Sequence, residues 1–450
     1  MSSPSPVREL IPSFSNLTSI PNSFKRLTTF NRSTVFLANL ETDFVRIISI
    51  LPSSQSCNNL FGMIAFVTNL AAPIGVIWKQ APGVEGSNFW GMMGNMMNFL
   101  AYAFMGIPAG KLITKIGYKK TTLIGVGSTL AGLPANFFVY LLGAFICGFS
   151  VCILNTVVNP MLNLLGGGGN RGNQLVQIGG TFNSLLGTLT PMLVGALVGS
   201  VTKDTVITDV NLVLYMAMGV FAATFVILTF VPFVEPEQEK NNISVKSLFE
   251  YRHLVFGVVA IFFYVGVEVG IPGTMNFFLT DTLGTANAAT TAGFVAGTYW
   301  LLMLVGRFVS SLISGKVSSR AQLAATSGAA IVLVILAMFT TDVPASMPVF
   351  TGSGFEMANV PLTALLLVLC GLCTSVMWGA IFNLAVEGLG AKSAAASGLF
   401  MTMVIGGGIL PLLQGAIADA TSYMISYWLP VAALAYICWF ALLGSKVKKA

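Results

Sequence analysis

Histidine is almost missing: His253 is the single one in 450 residues. A chain so poor in imidazole holds no HExxH pair, no histidine-based triad and no metal cluster, so an enzyme is not expected and neither is a metal or other cofactor. Charge is scarce too. Asp, Glu, Lys and Arg make up only 8% of the residues, against roughly a quarter in an ordinary soluble domain. Cysteines number six, and the Cys370-Gly-Leu-Cys373 spacing falls inside an apolar run. Thiols packed there as small hydrophobes account for it better than a redox pair.

Apolar residues fill the space that charge leaves. They form 55% of the chain, and the mean hydropathy is +0.83. Twelve apolar segments stand out, at approximately 58–78, 88–109, 121–141, 143–165, 175–199, 209–233, 253–279, 288–313, 323–341, 359–386, 393–418 and 425–444. Each is a continuous run of the length a bilayer-crossing helix needs, about 20 residues, and none shows the short alternation of a barrel strand. The reading predicts an all-α membrane protein of twelve transmembrane helices, with the lipid bilayer as its surroundings.

Lys and Arg then set the orientation. The tail (Arg8, Lys25, Arg26, Arg32, Arg46), the loop after the second segment (Lys111, Lys115, Lys119, Lys120) and the C-terminus (Lys446, Lys448, Lys449) share one side. Of 22 basic residues, only Lys79 and Lys203 fall in loops of the other. The positive-inside rule places both termini in the cytoplasm of a multi-pass protein of the cell (inner) membrane. This bias accounts for the net charge of +6 without a nucleic-acid partner. Residues 1–57 have no apolar h-region near Met1 and are Ser/Pro/Asn-rich, so they read as a disordered cytoplasmic tail. Within it, FVRIISILP (44–52) could lie on the membrane surface, with an over-long start the equal alternative. The sequons at Asn16 and Asn31 are chance matches on a tail so placed.

The chain also repeats itself. GTLTPMLVGALVG (187–199) aligns with GGILPLLQGAIAD (407–419), and CGFSVCILN (147–155) with CGLCTSVMW (370–378). These pairs equate the fifth segment with the eleventh and the fourth with the tenth. They predict two pseudo-symmetric six-helix bundles, 58–234 and 253–445, joined by the polar cytoplasmic linker 235–252. Parallel repeats around a midplane site are the layout of an alternating-access transporter.

Polar residues inside the segments are mostly amides. In LNTVVNPMLNLLG (154–166), Asn155, Asn159 and Asn163 recur every four residues and share a helix face. Asn69, Asn95, Asn98, Gln177 and Asn183 add to them. An amide offers two donors and two acceptor sites, which suits a neutral, hydroxyl-rich solute; interhelical glue at about 0.6 kcal/mol per bond is the competing role. Glu268 is the one carboxylate near a midspan, and function is the default for such a residue. It could bind Na⁺, carry a proton, meet sugar hydroxyls or pair with a neighbouring helix. Trp378 aligns with Asn155 in the repeat and is the first candidate to stack on a sugar face, with Tyr264 and Trp300 behind it. Pro160, Pro191 and Pro411 are expected to kink or break their helices. The run GGGG (166–169) lacks the GK[ST] ending of a phosphate loop and reads as a flexible connection.

The stretch PAGKLITKIGYKK (108–120) resembles the loop signature of the major facilitator superfamily, with Thr114 where an acidic residue is expected, and GRF (306–308) resembles its second-half counterpart. LNTVVNP (154–160), TFNSLLG (181–187), MTMVIGGGILPLLQG (401–415) and FFYVGVEVG (262–270) are similar to the fucose–galactose–glucose:proton symporter family. The resemblance implies a permease that moves a neutral monosaccharide such as glucose, galactose or fucose by rocking two bundles. It places Asn155 and Asn183 at substrate-facing positions; Asn159, Trp378, Tyr264, Asn69 and Gln414 join them as expected substrate contacts from their own chemistry and place, and Lys111, Lys115 and Arg307, the last towards the cytoplasmic end of its span, are expected to gate. Two departures bear on coupling: Asn155 stands where the family has a carboxylate, and 58–78 contains no Asp or Glu. That leaves Glu268 to couple H⁺ or Na⁺. An uncoupled facilitator, or a permease for another small neutral solute, is the alternative, and a monomer is expected.

Overall fold

The computed structural model describes residues 57–58, 60, 62, 64–65, 68, 88–128, 137–198, scattered positions between 215 and 230, 245–283, 288–350 and 354–447. Eight helices among them are long and apolar enough to cross a membrane. We label α1 (Met93–Ser128), α2 (Phe137–Leu165), α3 (Gly169–Val198), α4 (Arg252–Thr282), α5 (Ala288–Ile313) and α6 (Ser319–Met338). A hairpin of β1 (Pro344–Phe350) and β2 (Phe355–Pro361) follows, then α7 (Leu362–Thr374), α8 (Met377–Val386), α9 (Ser393–Thr402), α10 (Gly406–Ala420) and α11 (Trp428–Trp439). The first and sixth predicted segments, the tail 1–56 and the start of the linker lie largely outside the described residues.

Four local features depart from the sequence expectation. The basic stretch 108–120 holds a tight connection rather than an extended loop: α1 is two helices that meet at Gly117, whose backbone is non-helical, with φ 85° and ψ 171°. That is backbone only glycine adopts without strain. The region before the tenth segment, which carries no helix signal, is an antiparallel hairpin pairing Met347 with Ala358 and Val349 with Glu356. Its alternation explains it: Met347, Val349, Ala358 and Val360 turn inward while Ser346, Pro348, Met357 and Asn359 face out. The tenth segment is not one helix but two, α7 and α8, broken at Ser375-Val376. The turn after α2 needs three successive left-handed residues, supplied by Gly167, Gly168 and Gly169.

The prolines do something other than break helices. Pro160, Pro191 and Pro411 each sit inside an uninterrupted helix. A proline cannot donate to the carbonyl four residues earlier, which for Pro160 is Thr156 and for Pro411 is Gly407. Both freed carbonyls find a donor on another helix. Ser397 Oγ donates to Thr156 O at 3.2 Å, and Asn95 Nδ2 donates to Gly407 O at 2.8 Å. Each replacement ties a helix before residue 200 to one after residue 390.

Those ties lie on a seam. α1 packs along α9 and α10, and α3 along α5 and α8. Since the sequence repeat equates the α3 segment with the α10 segment, the two contact lines are counterparts. The α1–α9 crossing is almost backbone to backbone: a Cβ on Gly398 would lie 2.7 Å from Gly106 O and 2.9 Å from Gly110 Cα. Small residues are what permit such approach in membrane bundles. One end of the seam is basic (Lys111, Lys115, Arg171, Arg252, Lys392), and the other carries the hairpin with Asp281 and Asp419. At the hairpin end, Asn88 Nδ2 donates to Asp419 Oδ1 at 2.6 Å and Tyr423 donates to Asp281. At the basic end, Gln174 Nε2 donates to Ser311 O at 2.9 Å.

Candidate functional site

A cavity of about 220 Å³ lies on the seam between these two ends. The first-half helices supply Asn95, Phe99, Tyr102, Asn155, Gln177 and Asn183, and the second-half helices supply Glu268, Asn276, Trp300, Arg307 and Trp378. The remaining walls are largely apolar, among them Met92, Val176, Val265 and Val404. A mostly apolar cleft with a few convergent polar groups is the usual form of a small-molecule site.

The amides of the first wall are held rather than loose. Asn155 Nδ2 donates to Tyr102 Oη at 2.8 Å. Asn159 donates back to Asn155 O at 2.9 Å, and its Oδ1 accepts from Trp378 Nε1 at 2.7 Å across the seam. One turn further, Asn163 Nδ2 donates to Asn383 Oδ1 at 3.0 Å, and Asn383 to Ser319 Oγ at 3.0 Å. The stripe therefore divides: Asn155 lines the cavity, whereas Asn159 and Asn163 stitch the helices beneath it. Gln177 Nε2 donates at 2.9 Å to Val376 O, a carbonyl at the α7–α8 break.

The second wall carries the charge. Arg307 Nη2 meets Glu268 Oε1 at 2.8 Å, and Tyr264 donates to the same oxygen at 2.7 Å. The guanidinium also donates to Gly180 O at 3.1 Å, to Asn183 Oδ1 at 3.4 Å and, through Nε, to Ser375 O at 3.3 Å. Arg307 thus spans both halves, with its second carbonyl again at the α7–α8 break. Glycine at 180 makes room for it, because a Cβ would stand 3.2 Å from Arg307 Cδ. Helix breaks that turn carbonyls towards a midplane site recur in transporters. A pair this enclosed holds only because each charge has its partner and further hydrogen bonds.

Several expected site residues fall elsewhere. Arg307, expected towards the cytoplasmic end, reaches Glu268 in the cavity, its long side chain carrying the charge away from its Cα. Lys111 and Lys115 are exposed, away from the cavity. Tyr264 is fully buried behind Glu268, and its ring meets Trp378 edge-on at 6.2 Å. Gln414 is buried against Gly270, outside the lining, with no partner for Nε2 among the described residues. Asn159 is one layer below the lining. Asn69 lies outside the described residues. Tyr102 and Asn276 line the cavity beyond the expected set. No signal separates Tyr102 from the other aromatics of its run, whereas Asn276, six residues from the end of α4, is a polar residue that depth alone could have flagged. No group of three or more His, Cys, Asp or Glu residues that could hold a metal occurs among the described residues.

Comparisons with known proteins agree with this architecture. The Major Facilitator Superfamily family model matches residues 57–404. A glucose/galactose transporter of Brucella abortus is 31% identical over 363 residues, 77% of this chain and 84% of its own length. A putative glucose/galactose transporter of Helicobacter pylori is 33% identical over 374 residues, 77% of this chain and 86% of its own. The L-fucose-proton symporter of Escherichia coli is 23% identical over 406 residues, 82% of this chain and 87% of its own. A crystal structure of the E. coli fucose:proton symporter superimposes with a TM-score of 0.70 at 20% identity, covering 88% of this chain and 99% of that one. Another, in the outward conformation, gives 0.66 at 21%, covering 87% and 99%. At such identities the structural likeness speaks for the fold.

Proposed function

The chain belongs to the major facilitator superfamily, and on that premise we propose that it is a permease for a neutral monosaccharide of the glucose, galactose or fucose kind, working by alternating access. The observation that carries this reading is the seam cavity itself: amides and aromatic rings around its wall, and its two charges neutralising each other. Amides match hydroxyls donor for acceptor, and Trp378 and Trp300 offer rings to a sugar's C–H face. An ionic substrate would need an unpaired charge on the wall. The bundles are 58–234 and 253–445 with the linker 235–252 between them, the tail is 1–57, and the basic end faces the cytoplasm. The cavity is enclosed by one chain, so a monomer suffices.

The coupling ion is H⁺, the ion for which the E. coli L-fucose-proton symporter is named, and Na⁺ is the less supported choice. Glu268 is the carboxylate of the cavity, and Arg307 is its competitor for the proton. A proton on Glu268 frees Arg307 from the carboxylate within the second bundle while leaving it the carbonyls of Gly180, across the seam, and Ser375. One observation favours a second reading, an uncoupled facilitator: Glu268 is already neutralised by Arg307 and needs no cation to cross the cycle.

The test is uptake of labelled glucose, galactose and fucose into proteoliposomes, with pH and Na⁺ gradients imposed separately. We expect saturable uptake of at least one sugar, concentrated by an inward proton gradient. Glu268→Gln abolishes accumulation but keeps counterflow exchange. Accumulation that survives in Glu268→Gln removes that residue as the carrier, and uptake indifferent to both gradients establishes the facilitator.

A further inference from the structure

We propose a second station for sugar hydroxyls, between the central cavity and the basic end, built from Asn173, Asn163 and Asn383; it rests on the sugar-permease reading. Asn173 is the observation that points to it. It lies on α3 one turn before Gln177, is fully buried, and has no hydrogen-bond partner for either amide atom among the described residues. Nearly every buried polar group in a folded protein is paired, so a wholly unpaired carboxamide needs an occupant or a use.

Its place is specific. Gly379 on α8 lines the cavity together with Gln177 and Trp378. A Cβ at Gly379 would stand 2.8 Å from Gln177 Nε2 and 2.9 Å from Asn173 Oδ1. Asn173 therefore faces the seam directly below the cavity floor, where glycine leaves the opposing helix bare. Its neighbour Gly172 is so close to Asn163 that a Cβ there would meet Asn163 Nδ2 at 2.9 Å. Asn163 is bonded to Asn383 across the seam. Three carboxamides from α2, α3 and α8 thus lie in succession towards the basic end, and none belongs to the wall of the cavity.

Opening the basic end separates Asn163 from Asn383 and gives three uncharged amides at once to whatever leaves the cavity. Their chemistry, donors and acceptors without net charge, fits a polyhydroxylated neutral solute and offers an ion nothing to pair with. The sugar, handed down from Asn155 and Gln177, meets hydroxyl partners on its way out instead of bare lipid-like walls.

The test compares sides. Half-saturation for labelled glucose, galactose and fucose is measured on intact cells, which present the outer face, and on inverted membrane vesicles, which present the cytoplasmic face. Asn173→Leu raises the half-saturation from the cytoplasmic face by about fivefold, the loss of one ordinary hydrogen bond, and leaves the outer value unchanged. Asn173→Ser recovers much of the difference. Melting temperature does not fall in Asn173→Leu, because an unpaired amide gives way to an apolar side chain of similar size; should that variant fail to insert, Asn173→Ala gives the same sided readout. Equal changes on both faces, or no change on either, overturn the station while leaving the permease reading standing. Wild-type vesicles that take up none of the three sugars overturn the permease reading, and the station with it.

Discussion

The two walls of the cavity are made differently. The first-half wall is neutral, with four amides held by Tyr102, Gly407 O, Val376 O and Arg307. The second-half wall carries a full ion pair, Glu268 and Arg307, with aromatic rings beside it. Amides tolerate loss of a partner because they carry no net charge. A buried ion does not, since desolvation of a charge is offset only by its mate. The first wall is therefore suited to recognising a solute that comes and goes, and the second to holding the bundles in a state that only a proton or a partner exchange can change.

Breaking the pair should have the largest effect on this contrast. Arg307→Leu leaves Glu268 without a countercharge in the membrane interior and removes ties to Gly180 and Ser375. Loss of one member of a buried pair costs about 3–5 kcal/mol. We expect low expression, a melting temperature depressed by many degrees, and no accumulation. The double variant Arg307→Leu/Glu268→Gln recovers stability, because no charge is left unpaired, yet stays uncoupled. A double variant no more stable than the single one would mean that the carbonyl contacts, and not the ion pair, carry the cost. Thermal unfolding in detergent reads this directly.

That pair also marks where the sequence stops being readable. Among the described residues hydropathy places the eight membrane-length helices, because twenty apolar residues in lipid have one way to satisfy their backbone. It also places Glu268 as the exceptional residue of α4. It says nothing of Arg307's reach, since a long side chain can carry its charge far from its Cα, nor of the break at Ser375-Val376, which no proline or glycine announces at that point. The asparagine stripe is legible as a stripe, but its division between cavity lining at Asn155 and stitching at Asn159 and Asn163 depends on what the opposite helix presents. Trp378 faces one of them and Asn383 another. The hairpin 344–361 shows the reverse failure: its alternation is in the sequence, hidden by the expectation that only helices join the spans.

A smaller change sharpens the first wall. Asn155→Ala removes one of the amides that line the cavity and takes from Tyr102 Oη the donor it accepts from. A neutral hydrogen bond is worth about 1 kcal/mol, so sugar half-saturation should rise about fivefold on both faces, with the proton gradient still driving accumulation. The same substitution altering coupling rather than affinity would show that the neutral wall takes part in proton transfer after all.

The smallest effect should come from the seam outside both walls. Ser397→Ala removes the donor that reaches Thr156 O, the carbonyl left open by Pro160. Interhelical bonds of this kind in membrane proteins average about 0.6 kcal/mol, so the expected drop in melting temperature is slight. Sugar half-saturation should not move, since neither Ser397 nor Thr156 lines the cavity. Because Thr156 follows Asn155 on α2, a change in affinity as large as that of Asn155→Ala would show that the amide's orientation depends on this bond. Stitching and recognition would then be one network, and the contrast between a recognising wall and a holding wall would have to be redrawn along α2 itself.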